Sequence, residues 1–355
     1  MAALLALLCV ASGCVALPWP EAPLEPVVEP PRSGLLDLRG AVHVHTSDSH
    51  DSPGRLEDLL SGAEAAGIAW IALTEHTAPG GPSKSGQLLP PSGAGSGIVV
   101  IPGYELRGFG GSLLALGVDE LPESYRDPRA VLQQVRAAGG AAFIGHLETS
   151  TISERDWKLD PLDGIEIENL HARVREAGVI TLLLRGLLLP APFVLRTLLR
   201  TPRANLDRWE SLPGADAIVA GVDAHAKVRV LGPLGGTIDS YSRVLRLVTT
   251  HVLVPAATRE EILAALREGR SYVAYEGLGR VDRFRFERVG DQFEIEAPRV
   301  AKLVLTCDGA RQEQLDVSLA RLPIPRSARR CRAEAWLGPR LWIVTSYQRV
   351  APRAP

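Results

Sequence analysis

The chain of 355 residues is 46% apolar and 23% charged, a composition that supplies an ample buried core and excludes a disordered or collagen-like chain. Its length suits one large domain and a smaller one. With a formal net charge of −2, the overall balance points to neither nucleic acid nor an anionic membrane, and no specific nucleic-acid partner is expected.

Residues 1–17, "MAALLALLCVASGCVAL", read as a signal segment. Ser12 and Gly13 interrupt the apolar run, which falls short of the roughly 20 apolar residues a transmembrane helix needs. "ASGC" resembles the bacterial lipobox, in which Cys14 would become the lipidated first residue of an exported, membrane-anchored lipoprotein, periplasmic or at the cell surface. Two features depart from that pattern: Ala11 stands where Leu is usual, and no Lys or Arg precedes Arg32. A cleaved, unlipidated signal and a misassigned start are the alternatives. A Pro-rich linker follows over 18–36.

Over 37–279 short apolar runs alternate with helical segments. The runs are "GAVHVHT", "IAWIALTEH", "GIVVIPGYE", "SLLALGVD", "AAFIGHL", "DGIEIEN" and "DAIVAGVDAH". Ser52-Pro53 and Asp127-Pro128 each offer a cap followed by Pro at the first helical position, and Thr258 to Glu261 forms a capping box. Strand–helix alternation with apolar strands predicts a parallel sheet, and about seven units predict a barrel. The segment Val179 to Arg200, apolar with interspersed arginines and broken by Pro190 and Pro192, interrupts this rhythm. It is either a helical insertion covering the barrel rim or a membrane-surface helix within reach of a lipid anchor. Over 280–355 the helical signal vanishes and short strands predict a small β-sandwich-like domain. The fold class is therefore α/β, a (β/α)7 TIM-like barrel with a small C-terminal β-sandwich-like domain. Cys307 and Cys331 flank β-rich sequence there; in an oxidising compartment they pair, and otherwise they are buried thiols.

Residues of metal-ligand type recur where most of the seven runs end. His43 and His45 lie two apart on a strand, so alternation points both into the barrel lumen. Glu75 and His76, Glu105, His146, Glu166, Glu168 and His171, and Asp223 and His225 end later runs. That end of a parallel α/β barrel is where active sites sit. With His50, in the loop after the first run, seven of the eight histidines fall at this end and only His251 lies elsewhere. One histidine at a strand end is more often a satisfied core residue, but so many imidazoles and carboxylates could not be desolvated together without cations.

The pattern from residue 41 to about 278 resembles the polymerase and histidinol phosphatase (PHP) family of metal-dependent phosphoesterases, with five motifs in the family's order. The resemblance implies a distorted seven-stranded β/α barrel and two or three divalent metal ions. It implies that His43 and His45 bind a first metal with Glu105 and Asp223. Glu105 would bridge to a second, whose other ligands would be His146 and His171. His76, His225 and Asp51 would form the shell of a third, with His50 competing with Asp51 on reach. The chain departs from the family in having Glu75-His76 for the usual Asp-His, Leu147 after His146, and Ser112 where relatives carry a histidine. Glu75 is expected to orient the neighbouring imidazole.

The implied activity is hydrolysis of a phosphorylated small molecule or a phosphodiester by a metal-bound water held by His43, His45, Glu105 and Asp223. Mixed imidazole and carboxylate ligands suit zinc, manganese or iron. Lys227, Arg229 and Arg107 are candidates to meet a substrate phosphate, or are solvated loop charges; Tyr272 and Tyr275 either line the rim or pack in the core. Two other readings compete. A metal-dependent amidohydrolase also uses H-x-H on a first barrel strand, but the bridging position here is filled by Glu105 rather than a lysine. A non-catalytic surface lipoprotein would use the metals only as staples, although a structural site is usually closed by four ligands.

Overall fold

The seven apolar runs become the strand positions of one sheet: β1 (Leu36–Val44), β2 (Trp70–Leu73) continued by β3 (Glu75–His76), β4 (Val99–Ile101) continued by β5 (Gly103–Gly108), β6 (Gly111–Leu116), β7 (Ala141–Gly145), β8 (Gly164–Asn169) and β9 (Ala217–Ala224). The structure, a computed structural model, describes residues 34–77 and 97–350 apart from 154, 156, 158–161, 179–180, 183, 186–190, 213, 228, 231–235 and 238. The signal segment with Cys14, and most of the Pro-rich linker, lie outside the described residues.

Pairing is parallel from β1 to β2, β2 to β4, β3 to β5, β7 to β8, β8 to β9 and β9 back to β1, so the succession closes into a barrel. The expected wholly parallel sheet fails at one place: β6 is antiparallel to both β5 and β7. A parallel crossover needs a dozen or more residues, and only Phe109 and Gly110 separate β5 from β6. Both have positive φ, 50° and 76°, the backbone of a two-residue type I′ hairpin turn.

Successive side chains along the strands feed two cores. Val42, Ala72, Leu114, Phe143 and Val219 cluster with Ile262 and Leu266 of a helix at Arg259–Arg267. Their neighbours Ala41, Ile71, Leu113, Ala142 and Ile218 cluster with Leu59, Val131 and Trp209, from helices α1 (Leu56–Ala65), α2 (Pro128–Ala137) and Arg203–Ser211. Burial on both faces explains why the runs are almost continuously apolar. In chain order the later helices are α3 (Leu170–Ala177), α4 (Ala191–Arg196), α5 (Arg203–Ser211), α6 (Tyr241–Val244) and α7 (Arg259–Arg267).

Two of the three helix starts fall where the sequence puts them. The Asp127 side chain accepts from Arg129 N ahead of α2, and Thr258 accepts from Glu261 N ahead of α7. At α1 the helix begins at Leu56, past Ser52-Pro53, and Arg55 caps it without a side-chain bond. The Ser52 hydroxyl is used elsewhere, donating to the His225 carbonyl at 2.9 Å across the barrel mouth. Of the insertion, Leu195, Leu198 and Leu199 are buried, and no helix among the described residues is long and apolar enough to cross a membrane.

A two-residue ribbon, β10 (Arg229–Val230) with β11 (Gly236–Thr237), follows β9. The first half of β1 pairs with β12 (Thr249–Val254), which pairs with β13 (Ser271–Ala274). From there the sheet continues through β18 (Arg340–Thr345) to β17 (Arg330–Leu337) and β15 (Gln292–Cys307). β14 (Arg285–Val289) and β16 (Ala310–Pro323) flank β15, and β19 (Gln348–Arg349) flanks β17. These strands enclose a further core of Phe286, Phe293, Ile295, Leu305 and Trp342, to which β13 adds Tyr272 and Ala274. Cys307 and Cys331, opposed on β15 and β17, form a disulfide.

Candidate metal centre

The site is built where the strands lose regularity. β1 shifts register between Val42 and Val44 against both β2 and β9, and the residue between them, His43, has φ of 62°. Simple alternation therefore does not aim His43 and His45. The strand ends at Val44, and a bulge at His43 plus the turn into the next loop bring the two rings within 5.2 Å. His146, immediately after β7, and Asp223 on β9 also have positive φ, 49° and 45°. Such backbone costs about 1–3 kcal/mol per residue, and it falls on three of the candidate ligands.

The side chains converge on two carboxylates. Glu105 Oε2 lies 3.1 Å from His43 Nε2 and 3.5 Å from both His45 Nε2 and His76 Nδ1, and its Oε1 lies 3.4 Å from His146 Nε2. Asp223 Oδ1 is 3.5 Å from His45 Nε2, and Oδ2 is 3.5 Å from His146 Nε2. At the rim, Asp51 faces His225 Nε2 at 3.1 Å and His76 Nε2 at 3.8 Å. Three sets of ligand atoms lie mutually within 4.8 Å: His43, His45 and Glu105; His43, His146 and Asp223; and His45, His76 and His225.

A network behind these residues fixes where protons sit. Glu166 Oε1 lies 2.6 Å from His43 Nδ1. Ser49 donates to Glu75 Oε2 at 2.5 Å, so at 3.2 Å it accepts from His45 Nδ1. Glu148 faces His146 Nδ1 at 3.1 Å. The imidazoles of His43, His45 and His146 thus spend Nδ1–H on partners behind the cluster, and their Nε2 lone pairs point inward. Ser112 donates to Glu105 Oε1 at 2.5 Å, and Tyr241 donates to the His45 carbonyl at 2.7 Å.

Nε2 of His43 and of His45 are both buried with no hydrogen-bond partner. A lone pair aimed at carboxylate oxygens in a desolvated site is repulsive unless positive charge lies between them. The proton affinities carry the same message. Burial should lower His43, yet Glu166, Glu105 and Asp223 hold it well above the usual histidine range. His146 is lifted to about 10 against its burial by bonds to Glu105 and Glu148. Burial pushes His45 down to about 4, so it stays neutral with its lone pair available. Burial opposes ionisation of Glu105 and Asp223, but the neighbouring imidazoles keep both below the carboxylate range. Protons and metal ions compete for the same lone pairs, and mixed imidazole–carboxylate donors suit zinc, manganese or iron. The residues therefore fit divalent metal.

The remaining candidates divide. His171, in the first turn of α3, has its ring 5.4 Å from that of His225 but belongs to none of the three sets among the described residues. Asp51 meets the His225 and His76 imidazoles, whereas His50 is exposed with its ring 5.5 Å from His76. Lys227 Nζ lies 3.6 Å from Asp51 at the mouth. Arg107 is exposed near the end of β5. Arg229 lies on β10, and its side chain is outside the described atoms. Tyr272 and Tyr275 are core residues, donating to Asp37 and Glu168. Glu75 does not touch the His76 imidazole; its carboxylate accepts from Thr46 and Ser49, and Ser49 in turn accepts from His76 N at 2.9 Å. Sequence reasoning gave no role to Ser49, Glu148 or Tyr241, and it placed Glu166 only among the residues of metal-ligand type that end the runs. The signal available for Glu166 was an acid inside the otherwise apolar run "DGIEIEN".

No family model matches the sequence, and no curated protein matches it. A solved structure from Bacteroides vulgatus ATCC 8482, a two-domain protein containing a predicted PHP-like metal-dependent phosphoesterase, is similar at 15% identity with a TM-score of 0.48, covering 93% of this chain and all of that one. At that level the likeness carries no functional argument, which rests on the residues above.

Proposed function

We propose that the protein is a metal-dependent phosphoesterase of PHP type, holding two or three divalent ions, zinc, manganese or iron, at the barrel mouth. One observation carries the reading: the buried, unpartnered Nε2 atoms of His43 and His45 face Glu105 and Asp223. His43, His45, Glu105 and Asp223 would hold one ion, Glu105 would share a second with His146, and His76 and His225 would take a third with Asp51. His171, 5.4 Å ring to ring from His225, would join by a side-chain rotation. Held by these residues, divalent ions would supply a water of lowered pKa and positive charge for the phosphoryl oxygens.

The chain's own groups supply the rest. Glu166, Ser49 and Glu148 hold the imidazoles so that their lone pairs face inward. Lys227, exposed beside Asp51, sits where it would meet a substrate phosphoryl group. The Cys307–Cys331 disulfide suits an oxidising compartment and so supports export, with Cys14 as the proposed lipid attachment; loss of radiolabelled fatty acid in Cys14→Ser would test it.

The activity is tested by release of p-nitrophenol from its phosphate monoester and bis-diester, with zinc, manganese or iron added singly, against His43→Ala, His45→Ala. Metal-dependent turnover in the wild type and its loss in the variant are expected. Turnover no higher than the variant's under every metal would discard phosphoester hydrolysis, leaving the ions as staples of the barrel.

A further inference from the structure

A second charged cavity lies away from the metal centre. It has a volume of about 500 Å³ and is lined by Arg185, Arg200, Arg203 and Arg340, with Thr197 and Thr201 among the other lining residues and no carboxylate among the described residues. Its described walls are Arg185, the stretch from Thr197 to Arg203 after α4, and the turn between β17 and β18. It shares no residue with the metal centre.

The walls are fixed by hydrogen bonds. Arg185 Nη1 donates to Thr197 Oγ1 at 2.7 Å, and that hydroxyl donates onward to the Val194 carbonyl at 2.7 Å. Thr201 Oγ1 accepts from Leu341 N at 2.9 Å, tying the β17–β18 turn to the segment before α5. Arg203 lies over the Trp336 ring, 5.8 Å from its centroid. Among the described residues none of these four arginines has a carboxylate in ion-pair contact. Four guanidinium groups around one opening repel each other, and no carboxylate among the described residues offsets that cost. Arginine presents a planar fork of donors that matches phosphate oxygens.

We propose that this pocket binds a phosphate-bearing anion at a place separate from the metal centre. The volume exceeds that of phosphate itself, leaving room for the group it esterifies. Leu184 and Phe193, on the same segment, are 58% and 52% exposed. Apolar side chains beside basic ones are the pattern of a surface that meets a bilayer, so the phosphate could belong to a lipid headgroup or to a dissolved ester.

The test uses the full chain stripped of divalent ions by chelation. One arm titrates inorganic phosphate by calorimetry; the other compares sedimentation with phosphatidylglycerol and with phosphatidylcholine vesicles, so that any contribution of the N-terminal segment is common to both. Arg200→Glu with Arg340→Glu alters two exposed walls, and Arg185→Gln alters a third. A tenfold or greater weakening of phosphate binding in both variants assigns a dissolved phosphate. Loss of the preference for phosphatidylglycerol, with phosphate binding unmoved, assigns the headgroup. Once divalent metal is restored, turnover of p-nitrophenyl phosphate stays at the wild-type level in either case. Both arms unchanged in both variants, or phosphate binding abolished by His43→Ala, His45→Ala alone, overturns the proposal.

Discussion

His43 Nδ1 and Glu166 Oε1 lie 2.6 Å apart although 123 residues separate them in the chain, and both side chains are buried. The other Glu166 oxygen accepts from His146 N at 2.6 Å and from Asn169 Nδ2 at 3.2 Å. Every contact to this carboxylate is a donor, so it fixes the His43 ring and the backbone beneath His146 at once. In Glu166→Gln the amide nitrogen must face a donor whichever way it turns. Weakening of metal affinity by about 10- to 100-fold is expected, the usual consequence of losing the partner that orients a ligating imidazole. Metal titration of the purified variant measures it, with circular dichroism showing that the barrel still forms.

Gly221 on β9 makes room for that pair. A Cβ placed there would stand 1.6 Å from Glu166 Oε1 and 3.1 Å from His43 Cβ. Gly221→Ala should therefore displace Glu166 and lose metal affinity at least as far as Glu166→Gln does. Overpacking adds a stability cost of about 1–3 kcal/mol, read from the urea midpoint of chelated protein. A variant with wild-type stability and wild-type metal content would show that Glu166 can hold its place without this gap.

The ligand residues could be read from the sequence because most of the apolar runs end in a polar residue that their own strands have no use for. Their aim could not. A period of two put His43 and His45 on one face, but His43 sits at a bulge with positive φ and His45 lies past the strand. Nor does any local pattern pair Glu166 with His43, since only closure of the sheet brings β8 and β9 beside β1. Strand–helix alternation likewise missed the β5–β6 hairpin, where the chain turns on Phe109-Gly110 with no room for a helix. Ser52-Pro53 looked like a helix start because the demand on the Ser52 hydroxyl comes from His225, 173 residues away.

His251, on β12 and outside the candidate ligand set, gives a pH signature of its own. It is buried, with Nδ1 2.8 Å from Asp37 Oδ1 and Nε2 3.4 Å from Glu276 Oε1, and it stacks on Tyr272. Burial would lower its proton affinity, yet Asp37 and the bonds to Asp37 and Glu276 raise it above 6.5. A histidine whose folded pKa exceeds its unfolded value contributes stability that is complete below the unfolded pKa and fades as pH rises through the folded one. His251→Asn should thus destabilise the protein more at about pH 6 than at about pH 9. Urea unfolding of chelated wild type and variant at both values measures the difference. A cost that is flat, or that grows with pH, would mean that the imidazole is neutral in the folded state.

The Cys307–Cys331 bond closes a loop spanning a sequence separation of 24. In the chain-entropy account a loop of this size is worth roughly 3.5 kcal/mol, because the cross-link restricts the unfolded chain. Both cysteines lie in the core formed with Phe293, Leu305 and Trp342, and none of the metal-centre residues belongs to it. Reduction, or Cys307→Ala with Cys331→Ala, should therefore shift the denaturant midpoint while leaving metal content and metal affinity at wild-type values. Guanidinium unfolding with and without dithiothreitol, paired with metal analysis of each sample, separates the two. Loss of metal on reduction would show that the β-sheet core and the barrel mouth are energetically joined, with β13, which pairs with both β12 and β18, as the connecting element.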